Sequence, residues 1–179
     1  VDDGDAQSRI VIGYAFNGTA DAAVHLGNND RHIRCDFGSD QTWDAGSDER
    51  IKTNIKDANS QWDDVKAIRV RNFTRKDDVR QYGENAWEQI GVVAQEVELV
   101  SPHLVKENSP SEFELEHYGF GEQNEDGEWV VKKDEDGEDM TMKVLKYSIM
   151  YMKAIKCLQE AMEKIETLEA NQSVLEQNQ

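Results

Sequence analysis

The sequence predicts an α+β chain on three observations. Short apolar segments broken by Asn and Gly crowd its first 46 residues. A mixed middle follows, in which isolated strand and helix patterns alternate with acidic turns. A C-terminal run closes the chain; it lacks Gly and Pro from Tyr151 onward, and its apolar residues recur at three- and four-residue steps. Period two marks strands and period 3.6 marks helices, so one chain carries both signals in separate stretches.

Residues 1–46 offer strand candidates at Arg9–Ile12, Ala22–Leu26 and His32–Phe37, separated by Asn17–Gly18, Gly27–Asn28 and Gly38–Ser39. Strands this short with such punctuation fit hairpins or repetitive β structure. So small a β segment buries little by itself, which makes it the downstream end of a longer β-rich body. Asp40 to Gly46 reads as a polar connector with one tryptophan, Trp43. The chain opens on Val rather than Met, as expected of a fragment of something larger.

From Ser47 the sequence becomes highly charged with isolated apolar residues. Gln61–Val70 predicts a short helix with Trp62, Val65 and Ile68 on one side, and Ile68–Phe73 alternates as a strand does. Arg75–Glu84 reads as a polar, exposed excursion or hairpin. Gln89–Val93 is the most apolar interior strand candidate, and Gly91 within it implies a close backbone approach. Ala94–Val100 continues as a helix that Pro102 ends. The acidic stretch Glu107–Asp139 is turn-rich, with a strand at Glu128–Lys132 and a tight turn at Asp134–Gly137. Met140–Leu145 is a further strand or the lead into the last helix.

That last helix is expected over residues 143–179. Its apolar line is Ile155, Leu158, Met162, Ile165 and Leu168, then Leu175 beyond a polar Gln172. The line is as narrow as a coiled-coil seam, and the other faces carry Lys, Glu, Gln and Asn. Two successive three-residue steps, Met162 to Ile165 to Leu168, break the heptad and would overwind a supercoil locally. A lone helix of this kind is marginal in water. It either folds back on its own domain or bundles with other copies, and the narrow seam leans to bundling.

The chain has 179 residues and a formal net charge of -17, from 37 acidic and 20 basic residues. That length suits one domain with an appendage or two small domains. An acidic surface argues against binding nucleic acid or an anionic membrane, and no apolar run approaches a membrane span. Cys35 and Cys157 lie far apart with no zinc or disulfide spacing, so both read as reduced. The Asp134–Gly137 turn lacks the ligand spacing of a calcium loop. No metal and no cofactor are expected.

Phosphate-binding glycine loops, HExxH and the Gly-x-Ser-x-Gly elbow are missing, and His25, His32, His103 and His117 are scattered. The local feature with chemical potential is Gly46-Ser47 followed by Lys52. A serine hydroxyl needs a base to become a nucleophile, and a lysine serves once neutral. Gly46 would permit strained, exposed backbone at the bond attacked. Five residues is not a same-face helical spacing, so only a bend brings Ser47 and Lys52 together. On spacing alone, a turn serine and a solvated lysine are the ordinary reading.

Ser47-Asp48-Glu49-Arg50-Ile51-Lys52-Thr53-Asn54-Ile55 resembles the opening of the peptidase S74 family. That family is the C-terminal intramolecular chaperone domain of phage tail spikes, tail fibres and endosialidases, also found in myelin regulatory factor. Ile90-Gly91-Val92-Val93-Ala94-Gln95-Glu96-Val97 resembles its second signature, and Ser101-Pro102-His103-Leu104-Val105 the segment after it. Val144-Leu145-Lys146-Tyr147-Ser148, leading into the helix with Ala154-Ile155, resembles its end.

The resemblance implies two parts. Residues 1–46 would end a β-rich fibre or spike body, and residues 47–179 would form a mixed α/β chaperone with its long helix in a parallel trimeric bundle. The partners implied are two further copies, with the upstream body of the same polypeptide as folding client. Assembly would take place in the cytoplasm of a bacterial host. The body would remain in the virion tail and the chaperone would be released by a cut at Gly46–Ser47. Ser47 would be the nucleophile and Lys52 the general base. Asp48 and Arg50 match the motif without an assigned chemical role, and Gln95 and Glu96 would sit near the cut or support the fold. The alternative, from another class, is a trimerisation and capping module that does not cut. A third reading, an acidic partner-binding or receptor-binding tip, rests on the loops at Arg75–Glu84 and Ser109–Gly127.

Overall fold

A computed structural model describes residues 10–14, 22–28, 31–38 and 42–177. The chain divides into two compact units, Val1–Asp57 and Ala58–Gln179. Helices and strands both occur, and a long helix ends the described chain, as the α+β reading expects.

The first unit is built on a four-stranded sheet in the order β1 (Ile10–Tyr14), β2 (Ala23–Asn28), β3 (His32–Asp36), β4 (Trp43–Ala45). β1 and β2 run parallel, with Ile10 opposite Val24 and Ile12 opposite Leu26. β2, β3 and β4 then run antiparallel. The strand candidates therefore fall on β1, β2 and β3, while Arg9, Asn17–Gly18, Ser39 and Asp40 lie outside the described residues. Trp43 to Ala45, expected in a connector, is a strand, because Cys35 and Ile33 of β3 offer it a ladder at Trp43 and Ala45. Side chains alternate across the pleat, so β2 buries Ala23 and His25. Gly27 takes φ +145°, and a Cβ there would lie 2.3 Å from the Arg31 carbonyl oxygen. Only glycine closes the β2–β3 turn at that distance.

The second unit starts with α1 (Trp62–Ala67), followed by β5 (Arg71–Phe73), α2 (Lys76–Tyr82), β6 (Gln89–Gly91) and α3 (Ala94–Val100). α1 stops three residues before the expected Val70, because Ile68 turns extended and packs on the core. β5 pairs antiparallel with β6, and the ring of Phe73 lies 3.0 Å from where a Cβ on Gly91 would sit. The close backbone approach expected at Gly91 is replaced by a side chain, the Phe73 ring. The excursion expected at Arg75–Glu84 is helical instead. Asp77 and Asp78 occupy its first turn and Arg80 its last, which suits the helix dipole.

Beyond Pro102, which opens a single 3₁₀ turn, come β7 (Val105–Asn108), α4 (Glu112–Tyr118), β8 (Gly121–Gln123), β9 (Trp129–Val131) and β10 (Met142–Leu145). α4 stands within a stretch expected to be turns. Ser111 and Glu114 form a reciprocal capping box at its start, and Gly119 at φ +83° ends it. The tight turn at Asp134–Gly137 is present: the Gly137 N–H donates to the Asp134 carbonyl at 3.1 Å.

The final helix, α5 (Tyr147–Gln177), begins later than residue 143. Met142–Leu145 are strand because they pair with Val105–Asn108. The Lys146 N–H then donates to the Leu104 carbonyl at 2.8 Å, which fixes where the helix leaves the body. The core of this unit gathers there: Val97, Leu104 and Val105, flanked by Ile68, Val92, Leu145 and Met150. A polar tie reinforces it. Lys153 Nζ donates to Asp64 at 2.6 Å, and the buried Ser101 hydroxyl donates to the same carboxylate at 3.0 Å. Beyond that junction, α5 buries no residue.

Candidate functional site

Ser47 follows β4 by one glycine, in extended chain that leads into a 3₁₀ turn at Glu49–Ile51. Asp48 caps that turn. Its carboxylate accepts from the Arg50 N–H at 2.9 Å, from Arg50 Nε at 2.7 Å and from Arg50 Nη2 at 2.8 Å. The turn reverses the chain enough for Lys52 Nζ to donate to Ser47 Oγ at 2.7 Å. The bend demanded by the five-residue spacing therefore exists, and Asp48 and Arg50 build it. Just beyond, Asn54 takes φ +54°, a left-handed conformation that asparagine tolerates better than most residues.

The same bonds set the local electrostatics. The Arg50 side chain foremost, then its backbone N–H, hold the Asp48 carboxyl down at about 2. Asp48 is thus anionic at any ordinary pH, and Arg50 stays charged opposite it. Gly46 does not adopt a left-handed φ. The strain expected there is not a feature of its backbone, and its missing Cβ leaves room for Ile51, whose Cδ1 would lie 3.3 Å from one. Gly46, Ser47 and Lys52 are all exposed in the single chain. Gly46 and Ile51 line an open cleft of about 670 Å³ together with Leu26, Ile33 and Ala45.

Gln95 and Glu96 belong to the other compact unit, on α3. Glu96 accepts both arms of the Arg71 guanidinium, with Nε at 2.9 Å, and Arg69 Nη1 approaches it at 3.6 Å. Arg71 foremost holds the Glu96 carboxyl below its usual range. Glu96 therefore joins α3 to β5, while Gln95 stands exposed. Arg69 and Arg71, its partners, were missed in the sequence. Their two-residue spacing beside a strand was the available signal, since it puts both on one face. Ile155, Leu158, Met162, Ile165 and Leu168 all lie on α5, and each is about half exposed or more, from 49% at Ile155 to 67% at Leu168.

One segment of the chain is similar to an endosialidase-type intramolecular chaperone. Residues 47–106 match the family model Peptidase_S74, chaperone of endosialidase. The serine motif and the stretches Ile90–Val97 and Ser101–Val105 fall inside that match, and Val144–Ser148 lies beyond it. Among solved structures, a crystal structure of a novel intramolecular chaperon aligns at 23% identity and a TM-score of 0.43. The alignment covers 66% of this chain and 99% of that one. No curated protein matches.

Proposed function

We propose that this chain is the self-releasing folding helper of a trimeric viral tail fibre or spike, and that it cuts itself at Gly46–Ser47. The observation that carries the reading is the 2.7 Å contact between Lys52 Nζ and Ser47 Oγ, inside the segment that matches the endosialidase chaperone. In the cut, Ser47 Oγ attacks the carbonyl carbon of Gly46 while its proton passes to the neutral Lys52 amine. The carbon–nitrogen bond breaks, the Ser47 nitrogen takes up a proton, and Gly46 is left as an ester on the Ser47 oxygen. Water then hydrolyses that ester, freeing the Gly46 carboxylate and restoring the hydroxyl.

Burial favours the neutral form of a lysine. A pair that stands exposed in one chain is therefore best suited to act once neighbouring copies cover it. The α5 seam supports the same reading, since its apolar residues lie open on a helix face that one chain leaves uncovered. Three parallel copies, as the family resemblance implies, would close that seam. Bringing three β-rich chains into register costs entropy, and their non-local pairing is slow. A C-terminal clamp raises the effective concentration of the upstream strands. Cutting the clamp away afterwards leaves the fibre kinetically trapped.

The test is the mass of the chain after expression. The unsubstituted protein should yield a fragment beginning at Ser47, and Ser47→Ala should stay whole. Lys52→Ala should slow the cut by about 10²-fold or more, the scale of general-base catalysis, without preventing trimer formation. Cutting that persists in Ser47→Ala removes Ser47 as the nucleophile. An unsubstituted chain that forms trimers yet stays whole gives the function to the non-cleaving trimerisation and capping module instead. Equal rates in monomeric and assembled material would dismiss the coupling to assembly.

A further inference from the structure

Ser60, Gln61 and Trp62 are strapped along α5 by three of its side chains. Glu160 accepts from the Ser60 hydroxyl at 2.8 Å and from the Gln61 N–H at 3.1 Å. Lys153 Nζ donates to Gln61 Oε1 at 2.6 Å, and the Lys164 ammonium lies 3.5 Å from the centroid of the Trp62 ring. Ser60 foremost, then the Gln61 N–H, keeps the Glu160 carboxyl below its usual range, so the strap has an anion at its centre.

Two features give this strap a consequence. First, residues 53–59, between Lys52 and the strap, contain no regular element and are exposed throughout. The strap is thus the first place after Lys52 where the chain is fastened to a helix. Second, positions 153, 160 and 164 share one face of α5. At about 100° per residue, that face is roughly opposite the line of Ile155, Leu158, Met162 and Ile165, while Leu168, at the far end of the seam, turns toward the strap's side. A bundle formed on one face leaves the other free to hold the strap. Helix order in this stretch of α5 depends on packing, because a long helix with one narrow apolar line is marginal alone.

We infer that Glu160 is a positioning residue: it fastens residues 60–62 to α5, so that order in the helix is passed along the chain to the segment bearing Lys52. The inference rests on the Ser47–Lys52 reading for its effect on cutting. It is distinct from that reading in what it requires of Glu160.

The experiment compares Glu160→Ala and Glu160→Gln in the full chain, each alone and in a Ser47→Ala background that keeps the polypeptide whole. Amide hydrogen exchange of the whole chains should show Glu160→Ala losing protection at Gln61 by about tenfold or more, the scale of a lost charge-assisted hydrogen bond. Backbone 15N order parameters should fall with it across residues 53–59, the exposed connector. Cutting in the Ser47-containing Glu160→Ala chain should slow by about tenfold, with sedimentation and helicity unchanged. Glu160→Gln, which still offers an acceptor to the Gln61 N–H, should restore part of both, and it replaces the alanine variant if helicity falls. Unchanged protection overturns the inference, and so does lost protection with cutting at the unsubstituted rate. If the unsubstituted chain is never cut, the Ser47–Lys52 reading fails on its own. The strap is then judged on exchange and relaxation: lost protection at Gln61 with order parameters falling across residues 53–59 upholds it, and a change confined to 60–62 overturns it.

Discussion

Ser47 and Lys52 meet because the residues between them fold into one capped turn. Asp48 accepts three bonds from Arg50, and the turn they close swings Lys52 back onto the serine. The motif's charged residues thus have a visible local task, which is to shape the backbone that carries the pair. The Asp48 carboxyl is held at about 2 against an ordinary 3.8, with the Arg50 side chain as the largest cause. Because the folded value is depressed, the anion's contribution to the turn is complete above pH 3.8 and fades as pH falls toward about 2. An NMR titration of the Asp48 carboxyl carbon should give a midpoint near 2, and Arg50→Ala should move it up toward 3.8. A midpoint that stays low in Arg50→Ala would take the turn's electrostatics away from Arg50.

At the scale of elements, the legible parts were those whose signal is local and repetitive. α3 occupies the residues expected of it, and β9 lies within its predicted span, since apolar runs with clear stops carry their own period. α4 has local signals, since Ser111 with Glu114 is a capping-box spacing and Gly119 a helix stop, but the acidic stretch around them reads as turns. α2 was harder to see. No side chain caps it, and its order comes partly from Tyr118 of α4, whose hydroxyl donates to Asp77, and from Arg75 and Arg80 on the same carboxylate. β7 is a strand through β10, distant in sequence, and β4 through the strand just before it, and neither pairing shows in the element's own pattern. The junction of α3, β7, β10 and α5 closes on Leu104, which is fully buried. Leu104→Ala should cost about 2–5 kcal/mol in denaturant unfolding of the second unit, the range for truncating a core leucine. A loss under about 1 kcal/mol would mean that the core collapses onto the gap.

For the whole molecule, the question is what completes α5. Thirty-one residues of helix leave the body at Tyr147 and bury none of their own side chains. Leu158 is 61% exposed on the seam, in a chain whose net charge of -17 makes copies repel. On the proposed trimeric reading, Leu158→Asp should shift sedimentation from trimer to monomer and slow the cut with it. Raising salt from about 0.01 to 0.15 M should strengthen assembly of the unsubstituted chain by screening that repulsion. Assembly that tolerates Leu158→Asp would remove the seam from the interface.

The sequence by itself determined the α+β class, the order of most elements and the seam of α5, because each is written in local spacing or in a run of residue types; Ser47 and Lys52 stand out in it only through the family resemblance. Only the tertiary structure decided that Asp48 and Arg50 make the turn, that Glu96 answers to Arg71 and Arg69, that Met142–Leu145 is strand, and that Glu160 holds Ser60 and Gln61. The last three depend on residues 25 to 100 positions apart, or on a ladder between distant strands. Such contacts exist once the chain has folded and leave no period behind in the sequence. The Asp48–Arg50 turn is local, but a two-residue spacing acquires its meaning only from the backbone angles that bring carboxylate and guanidinium together.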